Sequence, residues 1–201
     1  MEERERMNPV VVGISGASGS VLARCAIEAL LEREIPVIAT CSTAAEMVWQ
    51  EEMEEPFSEA LARWRESPHF TYHPIGDLKA PIASGSTSTA GMVVIPCSTG
   101  TLAAIAHGLS SNLLQRAADV CLKEGRKLVL VPRETPLSPI HLENMLALAR
   151  LGVTILPPEP AFYLHPRSVE DIVEYIVTKA ISALGLAGFG DERLRYQRRG
   201  E

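Results

Sequence analysis

The sequence predicts an α/β fold in three layers, a mainly parallel sheet covered by helices on both faces. Three observations predict it. Short β-branched apolar runs alternate with longer stretches whose apolar residues recur at three- and four-residue spacing, which is strand and helix in alternation. The strand-like runs are nearly continuous in apolar character, as in strands buried on both sides rather than facing water on one. The chain has 201 residues, the length of one domain at roughly 100–200 residues each. One domain is therefore expected over residues 1–188, with the charged segment 189–201 as a tail that is either solvated or packed against another subunit.

The strands are expected at residues 9–14 (PVVVGI), 35–41 (IPVIATC), 92–96 (MVVIP), 127–132 (KLVLVP) and 153–157 (VTILP). Between them the spacing predicts helices over 20–33, 44–55, 99–107, 112–124, 139–151 and 168–184. Residues 56–88, rich in Pro, His and Ser, break the pattern, with room for a helix around 59–66 and irregular chain beyond it.

Composition narrows the function classes. Apolar residues make up 46% and charged residues 22%, the balance of a globular protein and not of a disordered or collagen-like chain. No apolar run approaches the roughly 20 residues of a bilayer span, and the opening MEERERMNP lacks the apolar stretch of a secretory signal. A cytoplasmic protein without a membrane partner is expected. Lys and Arg number 19 against 25 Asp and Glu, a formal charge of −6, which argues against nucleic acid as a partner while permitting a local phosphate site. Cys25, Cys41, Cys97 and Cys121 form no C-x-x-C pair and have no His at zinc-ligand spacing, so neither a disulfide framework nor a metal is expected.

In a doubly wound sheet, ligands sit outside the carboxyl ends of the strands. The first run leads into Gly13-Ile14-Ser15-Gly16-Ala17-Ser18-Gly19, small residues ahead of a helix start, where amides can face an anion. The glycine spacing is neither that of the dinucleotide fingerprint nor that of a P-loop, and a tight strand-to-helix connection needs similar residues. Cys41-Ser42-Thr43 and Cys97-Ser98-Thr99-Gly100 place hydroxyls at two further helix starts. Each alone reads as an N-cap; three together form a small, uncharged rim suited to a flat ligand with a phosphate tail. Arg133-Glu134 follows the fourth run, either as a phosphate fork with a proton-moving carboxylate or as a local ion pair. His141 reads as a hydrogen-bonded structural residue. After the fifth run, prolines present Phe162 and Tyr163, for ligand contact or for packing on the sheet edge.

These motifs in this order resemble the UbiX flavin prenyltransferase family over about residues 9–186. The pieces are GISGASG at 13–19, ASGS at 83–86, PCSTGTL at 96–102, LLQRAADVCLKE at 113–124, LVPRETPLS at 130–138, HLENM at 141–145, PAFY at 160–163 and SVEDIV at 168–173. The resemblance implies a Rossmann-like, metal-independent enzyme that binds reduced FMN. It implies transfer of a dimethylallyl group from dimethylallyl phosphate to flavin N5 and C6. The product, prenylated FMN, would serve a UbiD-type decarboxylase, and the enzyme would be a homo-oligomer, as a dodecamer in many members. By the same resemblance, flavin contacts fall on Gly16, Ala17, Ser18, Ser42, Cys97, Ser98, Thr99, Gly100 and Arg133. Prenyl phosphate contacts fall on Lys123, Arg133, Glu134 and Tyr163, with Arg116 reaching across a subunit contact. Ser18 and Glu52 match positions implicated in catalysis, with Lys123 and Glu134 beside them, and which carboxylate moves the proton is left open. Lys179 stands where the family has Arg, keeping the charge and losing the bidentate fork.

Two other readings stand beside it. An FMN-dependent cysteine decarboxylase of the same fold group would carry a Pro-x-Met-Asn signature, and PRETPLS occupies that stretch. A non-catalytic flavin carrier would have no use for a second phosphate site.

Overall fold

The computed structural model describes residues 7–186 and Phe189. Except for Phe189, the charged tail lies outside the described residues. Among the described residues there are six strands, β1 Val10–Ile14, β2 Val37–Cys41, β3 Phe70–Tyr72, β4 Gly91–Cys97, β5 Leu128–Pro132 and β6 Thr154–Ile155. They form one sheet in the order β3-β2-β1-β4-β5-β6, and every pairing is parallel. The helices are α1 Ser20–Leu31, α2 Thr43–Glu52, α3 Phe57–Trp64, α4 Thr99–Ala106, α5 Leu113–Lys123, α6 Pro139–Arg150 and α7 Val169–Ser182, with 3₁₀ turns at Pro81–Ala83 and Phe162–Leu164.

Side chains alternate across the sheet and so divide the core in two. Val10, Val12 and Ile14 face a cluster completed by α1, α7 and the tryptophans Trp49 and Trp64 of α2 and α3. Val11, Met92 and Val94 face the other layer, made by α4, α5 and α6 through residues such as Leu102, Leu114 and Leu148. Strands covered on both faces explain the continuous apolar runs. Phe189 is buried in the first cluster, with its ring 4.5 Å from the Arg33 guanidinium.

The predicted strands and helices are all present, and the stretch at 56–88 holds more than expected. β3 lies there, three residues long at the sheet edge and parallel to β2, with Val37 opposite Phe70. Three residues at an edge are too few to show a periodicity. The helix expected at 59–66 is α3, which begins at Phe57. α2 ends at Glu52 rather than 55 because Met53 is already extended and the Trp49 indole N–H donates to the Glu55 carbonyl at 2.8 Å, closing a turn there. Among the described residues no helix is long and apolar enough to cross a membrane.

Candidate active site

Strand order reverses between β1 and β4, so the loops after them diverge and open a crevice at the carboxyl edge. Ser15 joins its two walls. It is 1% exposed; its hydroxyl donates to the Pro96 carbonyl at 3.1 Å and accepts the Ser98 N–H at 2.7 Å. Sequence reasoning passed over Ser15; the available signal was its place as the first hydroxyl after β1.

The glycines of this loop serve the packing and the turn of the chain itself. A Cβ on Gly16 would lie 2.5 Å from the Ala44 Cβ, so the missing side chain admits the first turn of α2. Gly19, the N-cap of α1, has φ 118°, a left-handed conformation that glycine alone adopts readily. The amides at the start of α1 already hold an anion, and it is the chain's own. Glu52 accepts the Gly19 N–H at 2.9 Å and the Ser20 N–H at 2.8 Å. Burial works against the Glu52 charge, but hydrogen bonds from the Ser18 hydroxyl, the Ser20 and Gly19 amides and the Ser20 hydroxyl together outweigh it and lower the pKa. The result is an ionised carboxylate, hydrogen-bonded to a serine, at the rim of the crevice.

Besides α1, which Glu52 caps, α2 and α4 also start at this edge, directly after β2 and β4. The Ser42 hydroxyl accepts the Ala45 N–H at 3.1 Å, and the Ser98 hydroxyl accepts the Thr101 N–H at 3.2 Å. Each serine satisfies the third amide of its helix and leaves the first two without an intrahelical partner. These point, with the positive ends of the helix dipoles, toward the crevice side of the sheet. A Cβ on Gly100 would meet nothing within 4 Å, so a ligand can approach that backbone closely. Ala17 is buried, and its N–H donates to the Ser15 carbonyl at 2.8 Å. Cys97 is fully buried, which pushes its thiol up to about 12; the neutral sulfur packs the floor and is no nucleophile. A neutral hydroxyl rim, two helix starts and an open glycine fit a flavin mononucleotide.

Arg133 follows β5, its N–H donating to the Cys97 carbonyl at 3.2 Å, and Glu134 beside it accepts the Thr135 N–H at 2.9 Å. Both are exposed. Thus Gly16, Ala17, Ser18, Ser42, Glu52, the 97–100 segment, Arg133 and Glu134 all sit at one edge.

The remaining residues named from sequence are elsewhere in the chain. Lys123 ends α5, a few residues before β5 begins, so it lies at the amino edge of the sheet, where it pairs with Glu124. A Cβ on Gly85 of the ASGS segment would lie 2.7 Å from its Nζ. Arg116, on the same helix, pairs with Asp119 at 2.6 Å and donates to the Ala83 carbonyl at 3.0 Å. Lys179 lies on α7, across the sheet from α5, with its Nζ 5.8 Å from the centre of the Tyr175 ring. Tyr163 is 49% exposed in the turn after β6 and hydrogen-bonds with Tyr175. An open groove of about 590 Å³ lies beside it, lined by Phe162, His165 and the start of α7. His141 closes the capping box of α6, its Nδ1 accepting the Ser138 N–H at 3.2 Å, which is the structural role expected.

The flavoprotein family profile matches residues 1–181. A flavin prenyltransferase UbiX of Alkalihalophilus pseudofirmus is 46% identical over 190 residues, 90% of this chain and 94% of that one. The chain belongs to the UbiX flavin prenyltransferase family. Its solved relatives include the dodecameric FMN-dependent UbiX-like decarboxylase of Escherichia coli O157:H7, with TM-score 0.86 and 44% identity over 94% of this chain and 100% of that one. AnUbiX (PadA1), solved with FMN and dimethylallyl pyrophosphate, has TM-score 0.88 and 39% identity over 98% of this chain and 100% of that one. The FMN-dependent cysteine decarboxylase TvaF, of the rival reaction class, has TM-score 0.62 and 14% identity over 89% of this chain and 99% of that one, a likeness of fold alone.

Proposed function

We propose that this chain is a flavin prenyltransferase that joins the dimethylallyl group of dimethylallyl phosphate to N5 and C6 of reduced FMN. The observation that carries the reading is the Ser18–Glu52 pair fixed at the rim of a crevice built for a flavin phosphate. A carrier has no need of a charged, serine-linked carboxylate at that point.

Reduced FMN supplies the nucleophilic N5 and the aromatic C6. The chain holds the flavin between the starts of α2 and α4, with Ser42, Ser98 and Thr99 alongside and the phosphate on the first-turn amides of one of them. The departing phosphate of the donor gathers charge as its C–O bond breaks, and Arg133, Lys123, Lys179 and the Tyr163 hydroxyl neutralise it without a metal. Formation of the second bond removes a proton from C6 and delivers one to the alkene. The Ser18 hydroxyl, bonded to ionised Glu52, accepts and relays a proton there; Glu134 is the second carboxylate within this edge.

A single chain places Lys123 at the amino edge and Lys179 on the opposite face from it, so those cations reach one donor only if neighbouring copies supply them. A homo-oligomer with sites at its subunit contacts follows, and we propose the dodecamer seen in the Escherichia coli relative. Apolar side chains exposed in the single chain are available for such contacts: Ile140 is 67%, Leu146 51% and Phe162 73% exposed. The product class fits a UbiD-type decarboxylase as consumer. The four thiols are unpaired, as suits the reducing cytoplasm we propose for it.

The test is a mass spectrum of flavin recovered after anaerobic incubation with reduced FMN and dimethylallyl phosphate. A gain of C5H8 is expected. Unchanged flavin, with flavin binding demonstrated, overturns the reading in favour of a carrier.

A further inference from the structure

Glu52 stays on the amides of Gly19 and Ser20 from an unpromising position, because it is the last residue of α2 and Met53 beyond it is extended. Helix ends fray unless something holds them. Here the hold comes from α3. Trp49, fully buried, packs edge-on to Phe57 and Trp64 at 5.3 and 5.8 Å between ring centres, and its indole N–H closes the turn onto the Glu55 carbonyl at 2.8 Å. The Glu55 carboxylate is gripped by Arg63 of α3 through Nε at 3.2 Å and Nη2 at 2.8 Å. The third nitrogen of the same guanidinium, Nη1, donates to Glu28 of α1 at 2.7 Å. Arg24, also on α1, adds a favourable charge toward Glu55.

The segment 52–55 is therefore attached to α1 at two heights. Glu52 meets its first turn, and Glu55, through Arg63, meets Glu28 about 12 Å further along the axis, at 1.5 Å per residue. With both attachments made, sliding of the end of α2 along α1 has to break the Arg63 contacts. We propose that Arg63 is a positioning residue for prenyl transfer: its guanidinium joins Glu55 to Glu28 and thereby keeps the Glu52 carboxylate on Gly19 and Ser20. An exposed ion pair contributes little to overall stability, so the effect belongs to the geometry of Glu52 rather than to the fold. Lysine cannot serve, because a single ammonium has no fork to span two carboxylates on two elements.

The activity arm of the test rests on the prenyltransferase reading; the exchange arm does not. In the full-length, ligand-free protein, Arg63→Ala is expected to speed amide hydrogen exchange at Gly19 and Ser20 about fivefold or more, the worth of one hydrogen bond, while the buried amides of β4 keep wild-type rates. In turnover, Arg63→Ala and Arg63→Lys should each lower kcat about fivefold with the donor KM changed by less than about twofold. Arg63→Ala placed on Glu52→Gln should add less than about twofold, because the residue acts through Glu52. Unchanged exchange at Gly19 and Ser20, or an undiminished kcat loss in the Glu52→Gln background, overturns the proposal. If Arg63→Ala does not fold, Glu28→Gln cuts only the link to α1 and must accelerate the same two amides. A wild-type protein that makes no prenylated flavin refutes the functional reading, and the exchange result still decides the role of Arg63.

Discussion

Glu52 is charged at neutral pH because four hydrogen-bond donors converge on it, and that charge is linked to folding. Its pKa is lowered in the folded chain, so the stability it contributes is present above the unfolded glutamate value of about 4.3 and is lost as pH falls through the lower folded value. The difference in urea midpoint between wild type and Glu52→Gln should therefore shrink below about pH 4. A difference that persists unchanged at pH 2 would detach the effect from ionisation. Lys179 tests the other end of the chemistry. Lys179→Arg restores a bidentate fork and should lower the donor KM about fivefold, the gain of one charge-assisted hydrogen bond. Unaltered KM in a fully active enzyme would remove Lys179 from the phosphate contacts. At the same scale, Cys97 belongs to the floor of the crevice, since a thiol with pKa near 12 stays protonated in any physiological solvent.

At the scale of elements, the carboxyl edge depends on how closely α2 meets the β1 loop. Gly16 and Ala44 leave no room for another methyl. Gly16→Ala should destabilise the protein by about 1–3 kcal/mol, the usual cost of overpacking, and should weaken FMN binding by displacing Ser42. Ala44→Gly in the same chain should recover most of both, measured by denaturant midpoint and by flavin fluorescence titration. Failure of the second substitution to rescue binding would mean that Gly16 meets the flavin itself. The helix starts here show how an N-cap and a binding site coexist: Ser42 and Ser98 each spend a hydroxyl on their own helix and leave the foremost amides for a ligand. Both helices were evident from spacing and capping residues. The role of Gly16 was not, because a glycine against a ligand and a glycine against a helix read alike in a chain of letters.

The whole molecule poses a different question, since its cations lie on opposite faces and edges of the sheet. Complementation answers it. Lys123→Ala and Glu52→Gln chains should each be nearly inactive alone. Unfolded together and refolded as mixed oligomers, they should regain about a quarter of wild-type turnover, the chance that a shared site draws an intact residue from each of two copies. No recovery, with mixed oligomers demonstrated, would mean that one chain supplies both residues to its site, and a fully active Lys123→Ala chain would place Lys123 outside it. The same question explains why residue type alone could not say which of Lys123, Arg133 and Tyr163 a single chain supplies to one cavity. Sequence order says which strand or helix carries a residue, but the end and face it occupies depend on the direction in which each element runs.

Local chemistry in the chain was enough to determine the layered architecture, the helix starts at Ser42 and Ser98, and the segments that follow β1, β2, β4 and β5. Apolar periodicity and capping preferences are properties of neighbours a few residues apart, and they survive in the letters. Tertiary structure alone decided that Glu52 caps α1, that Ser15 joins β1 to β4, that residues 70–72 pair with β2, and that Lys123 and Lys179 stand apart. Each of these rests on contacts between segments distant in sequence, set by helix packing and by the parallel sense of the strands, for which no short window of sequence carries a signal.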